Sequence, residues 1–268
     1  MATETTTLNG HAGALHVARW PSRQARYLAI LSHGYGEHIG RYDHVADALR
    51  DHGATVVGHD HAGHGRSEGE RVLIHDFDDV VDDLHGVIGW AREEHPDLPV
   101  VLIGHSVGGM VAARYAQRFG AGLTALVLSG PVLERYEAAE LLVDLDPMPE
   151  VPIDPTTLSR DPAVGEAYAQ DPLVWHGTFR RETLRAILAC LEAIRVDGQV
   201  TGLPTLWLHG SDDQLVPIEP SRDGVRALVP DDQRSERVRT DARHEIFNEI
   251  DSDETLAEVT GFIGRVLG

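Results

Sequence analysis

The chain is 268 residues long, 42% apolar, with 43 acidic and 23 basic residues and a formal charge of −20. That acidic excess repels nucleic acid and anionic membrane surfaces, so neither is an expected partner. No run approaches the roughly 18 apolar residues of a membrane span. The first residues also lack the basic start and apolar stretch of a signal peptide, so the expectation is a soluble cytoplasmic protein. Every basic residue is arginine, and Cys190 is the sole cysteine, which rules out an intramolecular disulfide. Its surroundings, Ala-Ile-Leu-Ala-Cys-Leu, read as a helical packing face.

In chain order, Thr5 to Leu8 and Ala14 to Trp20 read as short strands joined by Asn9-Gly10 and Gly13. Tyr27 to Leu31 is the next strand, running into the glycine-punctuated loop His33-Gly34-Tyr35-Gly36-Glu37-His38 and a helix from about Arg41 to His52. A short strand, Thr55 to Gly58, leads to Asp60-His61-Ala62-Gly63-His64-Gly65-Arg66-Ser67. Phe77 to Glu94 carries apolar residues at positions 77, 80, 81, 84, 87, 88 and 91, a helical stripe that Pro96 and Pro99 close. Strands follow at Val100 to Ile103, Leu123 to Leu128 and Thr205 to Leu208, with a weaker one near Arg237 to Arg239 and a closing helix from Glu254 to Leu267.

Strands alternating with helices predict an α/β class protein with a mostly parallel, doubly wound sheet. The rhythm breaks between Pro131 and Leu203, where prolines crowd a stretch without a strand before a helix near Arg181 to Arg195. We therefore expect a core formed by residues 1–130 and 204–268, with residues 131–203 as a helical cap inserted at the strand ends, over the site.

Gly104-His105-Ser106-Val107-Gly108 is a G-x-S-x-G directly after a buried-type strand and directly before a helical stretch, the setting of a nucleophile elbow. Gly65-Arg66-Ser67-Glu68-Gly69 matches the same pattern without those flanks and reads as a polar turn. A serine hydroxyl needs a base beside it and a carboxylate behind that base. In the order Ser, acid, His, the one histidine beyond the last strand-and-acid signal is His244. The acid comes from Ser211-Asp212-Asp213, with Asp213 the first choice and Asp212 the reserve. The backbone amide of Val107, at the helix start, and that of Tyr35, in the glycine-rich loop, are the expected oxyanion donors. His33, His38, His61 and His64 lack the spacing of a zinc motif and read as hydrogen-bonding residues, and without lysine no phosphate loop can form.

His33-Gly34-Tyr35-Gly36-Glu37-His38 with Arg41-Tyr42, then Asp60-His61-x-Gly63-His64-Gly65-x-Ser67 and Gly104-His105-Ser106-Val107-Gly108-Gly109, resemble the monoacylglycerol lipase family of serine α/β-hydrolases. Leu158-Ser159-Arg160-Asp161-Pro162, Asp171-Pro172-Leu173-Val174, His209-Gly210-x-Asp212-Asp213-x-Leu215-Val216-Pro217 and His244-Glu245-x-x-Asn248-Glu249 extend the likeness along nearly the whole chain. The resemblance implies Ser106, Asp213 and His244 as catalytic triad, the Tyr35 and Val107 amides as oxyanion hole, and a cap enclosing an apolar tunnel for one acyl chain. Val107 stands where methionine is usual in the family. The stretch from Tyr136 to Glu150 is short and carries five acidic residues, which favours a smaller or more polar ester.

The expected activity is hydrolysis of monoacylglycerols or similar small monoesters through an acyl-enzyme, with no cofactor, no metal and at most transient membrane contact through the cap. A lysophospholipase, a short-chain esterase and a non-catalytic ligand-binding protein of the same fold are the alternatives.

Overall fold

The computed structural model describes residues 3–268. Among the described residues, eight strands form one sheet. β1 (Glu4–Gly10) and β2 (Gly13–Trp20) form an antiparallel hairpin, and β2 joins β4 (Ala54–His59) antiparallel. From β4 onward every pairing is parallel, through β3 (Tyr27–Ser32), β5 (Val100–His105), β6 (Ala125–Ser129), β7 (Thr205–Gly210) and β8 (Arg234–Arg239).

Strands buried on both faces have side chains that alternate between two cores. On one face Leu28, Ile30, Leu102, Leu126 and Leu128 pack with α2 (Phe77–Glu94), α3 (Val107–Phe119), α6 (Arg181–Asp197) and α7 (Ile218–Leu228). On the other, Ala29, Leu31, Val101, Ile103 and Val127 pack with α1 (Asp43–Asp51) and α8 (Ser252–Leu267). Each fully buried Leu, Ile or Val contributes about 1.5–3 kcal/mol, so the one-residue alternation of these strands fixes their register firmly.

β4 lies on one side of β3 and β5 on the other, so the winding reverses between β3 and β5. At such a switch point the loops after the two strands diverge and leave a crevice at their carboxyl ends. The loop after β3 and the turn after β5 meet there.

Between β6 and β7 the chain forms no strand but α4 (Glu137–Leu142), α5 (Pro162–Gln170) and α6. α6 packs its buried Leu184, Ile187, Leu191 and Ile194 into the core layer of α2 and α3. α5 and the connections that flank α4 and α5 supply part of the crevice wall. The described residues contain no helix long and apolar enough to cross a membrane.

Candidate active site

Ser106 sits between β5 and α3 with φ 56° and ψ −122°. A non-glycine residue at positive φ costs on the order of 1–3 kcal/mol and persists only where its surroundings over-determine it. Here Ser106 N–H donates to Ser129 O (2.9 Å), while Ser106 O accepts from Gly109 (2.9 Å) and Val132 (3.1 Å). The glycines permit the crossing. A Cβ on Gly104 would meet Gly108 O at 2.3 Å, and one on Gly108 would meet His33 O and Ser32 O at 2.3 Å. Ser67, in the second G-x-S-x-G, is buried in a turn; its Oγ donates to Asp60 O (2.6 Å) and accepts from His16 N–H (2.8 Å).

Asp213 follows β7 and His244 follows β8, and the structure brings them together: His244 Nδ1 lies 2.7 Å from Asp213 Oδ2. Asp212, by contrast, is exposed. Asp213 Oδ1 accepts the amides of Leu215 (3.0 Å) and Val216 (2.9 Å), and His209 Nε2 donates to Val216 O (2.8 Å) while lying 3.2 Å from Oδ2. Burial by itself would raise the acid's pKa, but His244 and His209 hold the carboxyl well below the usual carboxylate range. Burial likewise lowers that of His244, yet Asp213, with Glu245 and Glu37 beyond it, lifts the imidazole above its ordinary 6.5. An ionised Asp213 accepts the hydrogen bond from Nδ1–H, which keeps the proton on Nδ1 and leaves the lone pair on Nε2.

The Val107 N–H, at the first position of α3, has no intrahelical acceptor and points from the positive end of the helix. The Tyr35 amide belongs to a peptide held by its other end. His61 N–H donates to His33 Nε2 (3.0 Å), so His33 carries its proton on Nδ1 and donates it to Gly34 O (2.7 Å). In a trans peptide the N–H of Tyr35 points away from that carbonyl. Gly34 N–H is itself taken by Glu37 Oε1 at 2.6 Å.

These elements line one pocket, with an empty volume of about 460 Å³ including its mouth. Ser106, Val107, Tyr35 and His244 form its floor, while Tyr136, Ile153, Leu158, Tyr168 and Phe179 line it from the β6–β7 insertion.

The sequence profile of the serine aminopeptidase S33 family matches residues 23–251. A monoacylglycerol lipase of Mycolicibacterium smegmatis is 35% identical over 252 residues, covering 91% of this chain and 90% of that one. The chain belongs to the monoacylglycerol lipase family of α/β-hydrolases. The monoglyceride lipase of Rattus norvegicus is 35% identical over 209 residues, 73% of this chain and 68% of that one. Among solved structures, the monoacylglycerol lipase of Paleococcus ferrophilus superposes with a TM-score of 0.79 at 26% identity, covering 94% of this chain and 99% of that one.

In this member of the monoacylglycerol lipase family, a buried ionic network borders the pocket. Arg41 donates to Glu37 Oε2 (2.7 Å) and to both oxygens of Glu245 (2.7 and 2.8 Å), and its guanidinium lies 5.2 Å from the centre of the Tyr168 ring. Glu37 Oε1 also accepts the Tyr42 hydroxyl at 2.8 Å. These residues, and His209, stand in the sequence motifs without a role that the motifs assign. The four-residue spacing of Glu37 and Arg41 was a visible signal; Glu245, 204 residues away, gave none. The five carboxylates at 137, 140, 144, 146 and 150 face solvent, and the insertion's side of the pocket is lined by aromatic and aliphatic groups.

His33, His61 and His64 form a packed group with His59, the His33 and His61 rings 4.2 Å apart. Burial lowers the pKa of each, to about 4 for His59 and His64. Among the described residues, no group of three or more His, Cys, Asp or Glu side chains is arranged to hold a metal ion. His38 stands apart, its Nε2 2.8 Å from Asp171 Oδ2. Cys190 is buried in α6, and burial pushes its thiol up to about 12.

Proposed function

We propose that the chain hydrolyses small carboxylic esters, monoacylglycerols first among them, through an acyl-enzyme on Ser106. The observation that carries this reading is the buried Asp213–His244 pair, 2.7 Å apart, whose imidazole lines the same pocket as Ser106 at its strained corner.

Ser106 Oγ attacks the ester carbonyl carbon while His244 Nε2 takes its proton. The bond from that carbon to the alcohol oxygen then breaks, and His244 returns the proton to the departing alcohol. Water attacks the acyl carbon in turn and gives a proton to His244; the bond from that carbon to Ser106 Oγ then breaks, His244 returns the proton to Oγ, and the acid leaves. Asp213 fixes the imidazole through Nδ1–H and stabilises the imidazolium without taking the proton. The amides of Tyr35 and Val107 receive the oxyanion of each tetrahedral intermediate. No cofactor enters these steps.

The relatives described as monoacylglycerol lipases and the apolar upper wall of the pocket support a single acyl chain lying under the insertion, which serves as a cap. Leu141, Leu145 and Val151 are 63%, 46% and 48% exposed on that segment and suit brief contact with a lipid surface. The neighbouring carboxylates oppose lasting adsorption to anionic lipid. A chain with one cysteine and so no internal disulfide suits a reducing cytoplasm.

Initial rates on monoacylglycerols of graded acyl length, beside the matching lysophosphatidylcholines, test the substrate assignment. Faster turnover of the monoacylglycerols supports it. No turnover of them beside fast cleavage of other monoesters removes the substrate and leaves the ester hydrolase.

A further inference from the structure

The two sides of Tyr35 are anchored to different parts of the molecule. On the Gly34 side, His33 and Glu37 hold the peptide from within the core. On the Gly36 side, the partners come from nine residues of the insertion. Trp175 N–H donates to Gly36 O at 2.7 Å, His38 Nε2 lies 2.8 Å from Asp171 Oδ2, and the Tyr35 ring stacks on Phe179 at 4.7 Å and 16°.

From this we infer that the segment from Asp171 to Phe179 positions the oxyanion donor, so that the Tyr35 amide is aimed only while the insertion is seated. The inference rests on the proposed role of Tyr35 and adds to it the residues that hold the loop.

Three features make this clasp more than incidental packing. Gly36 has φ 78°, which glycine adopts without steric cost, and it brings no side chain of its own to anchor the loop. The segment that fixes it is itself rigid. Asp171 Oδ1 accepts Leu173 N–H (2.8 Å), His176 Nε2 donates to Asp171 O (3.0 Å), Trp175 Nε1 donates to Thr178 O (2.8 Å), and Arg71 Nη2 donates to Leu173 O (2.7 Å). Finally, the His38–Asp171 bond has a defined direction. His38 Nδ1 accepts Gly40 N–H at 3.2 Å, so Nε2 carries the proton given to Asp171.

The consequence is a coupling between two events. A substrate that fits beneath the seated insertion finds both amides in place. One that displaces the Asp171–Phe179 segment pulls Gly36 with it, and the developing oxyanion loses the donor from Tyr35 while keeping that from Val107.

Asp171→Asn tests this with little disturbance, because Asp171 is a quarter exposed. The amide oxygen still accepts Leu173 N–H, whereas the amide nitrogen faces His38 Nε2–H and cannot accept from it. Losing a whole oxyanion donor costs about 10²–10³ in kcat, so a loosened one is expected to cost on the order of tenfold. KM is expected to stay within about twofold, because the interaction strengthens only in the transition state. A short-chain trifluoromethyl ketone, which forms an oxyanion on the serine, should bind on the order of tenfold more weakly by the same reasoning. Asp171→Glu, which restores a carboxylate, should recover part of the loss, and Phe179→Leu should move kcat and ketone affinity in the same direction. If Asp171→Asn and Phe179→Leu keep wild-type kcat and ketone affinity, or lose only in KM, the inference is overturned while the ester-hydrolase reading stands. A wild-type enzyme inert to fluorophosphonate and to esters would sink both.

Discussion

Arg41 holds both carboxylate oxygens of Glu245, the residue next to His244, at 2.7 and 2.8 Å. The same guanidinium reaches Glu37 at 2.7 Å, so one side chain joins the loop after β3 to the loop after β8. Two carboxylates face one cation, leaving a negative charge in excess beside the imidazole. Burial would raise the pKa of Glu245, but Arg41 holds it down to about 2, so that charge persists across the working pH range.

Glu245→Gln should therefore shift the pH dependence of turnover. Burial lowers the pKa of His244 while Asp213, Glu245 and Glu37 raise it, so removing one carboxylate moves it down. With the neutral imidazole as the base in the proposed mechanism, the acid limb of the kcat/KM profile moves to lower pH. Losing a charged partner of Arg41 should also cost about 2 kcal/mol, or roughly 4–8 °C in Tm. A pH–rate profile and a melting curve check both. An unmoved acid limb would contradict the electrostatic role.

The two neighbouring acids after β7 should differ sharply. Asp213→Asn removes the carboxylate that fixes the His244 tautomer, and a loss of about 10⁴ in kcat is expected. Asp212 is exposed, and its amide, not its side chain, bonds to Ala242 O at 2.9 Å. Asp212→Asn should stay within about twofold of wild type, as surface substitutions usually do. Steady-state rates of the two variants under one set of conditions decide it.

Acid should unfold the protein early. His33, His59, His61, His64 and His105 are buried, and burial above all lowers their pKa values, to about 4 for His59, His64 and His105. In the unfolded chain each titrates near 6.5. Below pH 6.5 the unfolded state therefore binds protons that the folded state does not, and stability falls as pH drops toward 4. His244 acts in the opposite sense, since a raised value contributes stability below 6.5 that fades as pH rises through its folded value. Near pH 5 His244 is protonated in both states, while the five buried imidazoles leave about four to five more protons on the unfolded chain, a slope on the order of 5 kcal/mol per pH unit. Urea midpoints measured between pH 7 and 5 should fall steeply, and a flat series would contradict the prediction.

The sequence showed where apolar periodicity was strong. α2 spans Phe77–Glu94, the bounds its stripe predicts, and the strand–turn–helix around Ser106 needed only its flanks to be read. α7 went unread because its buried face is Ser221, Gly224, Val225 and Leu228, too small and mixed to make a stripe, with Pro220 inside. α4 and α5 bury one residue each, Ala139 and Tyr168, so tertiary contacts rather than amphipathic pattern hold them. β8, with its charged Arg-Ser-Glu-Arg-Val-Arg, is a strand by virtue of its pairing with β7. At the site, residue types and chain order pointed to Ser106 and His244 and put Asp213 ahead of Asp212 without separating the two. The contacts of Arg41 with Glu245, and of His38 with Asp171, join segments 204 and 133 residues apart, and no local pattern encodes them.

The most direct test of the central claim is intact mass after treatment with a fluorophosphonate, for the wild type, Ser106→Ala and His244→Ala. The account predicts one adduct on the wild type, mapped to Ser106, none on Ser106→Ala, and much slower labelling of His244→Ala. An adduct elsewhere, or none on a folded wild type, would contradict it.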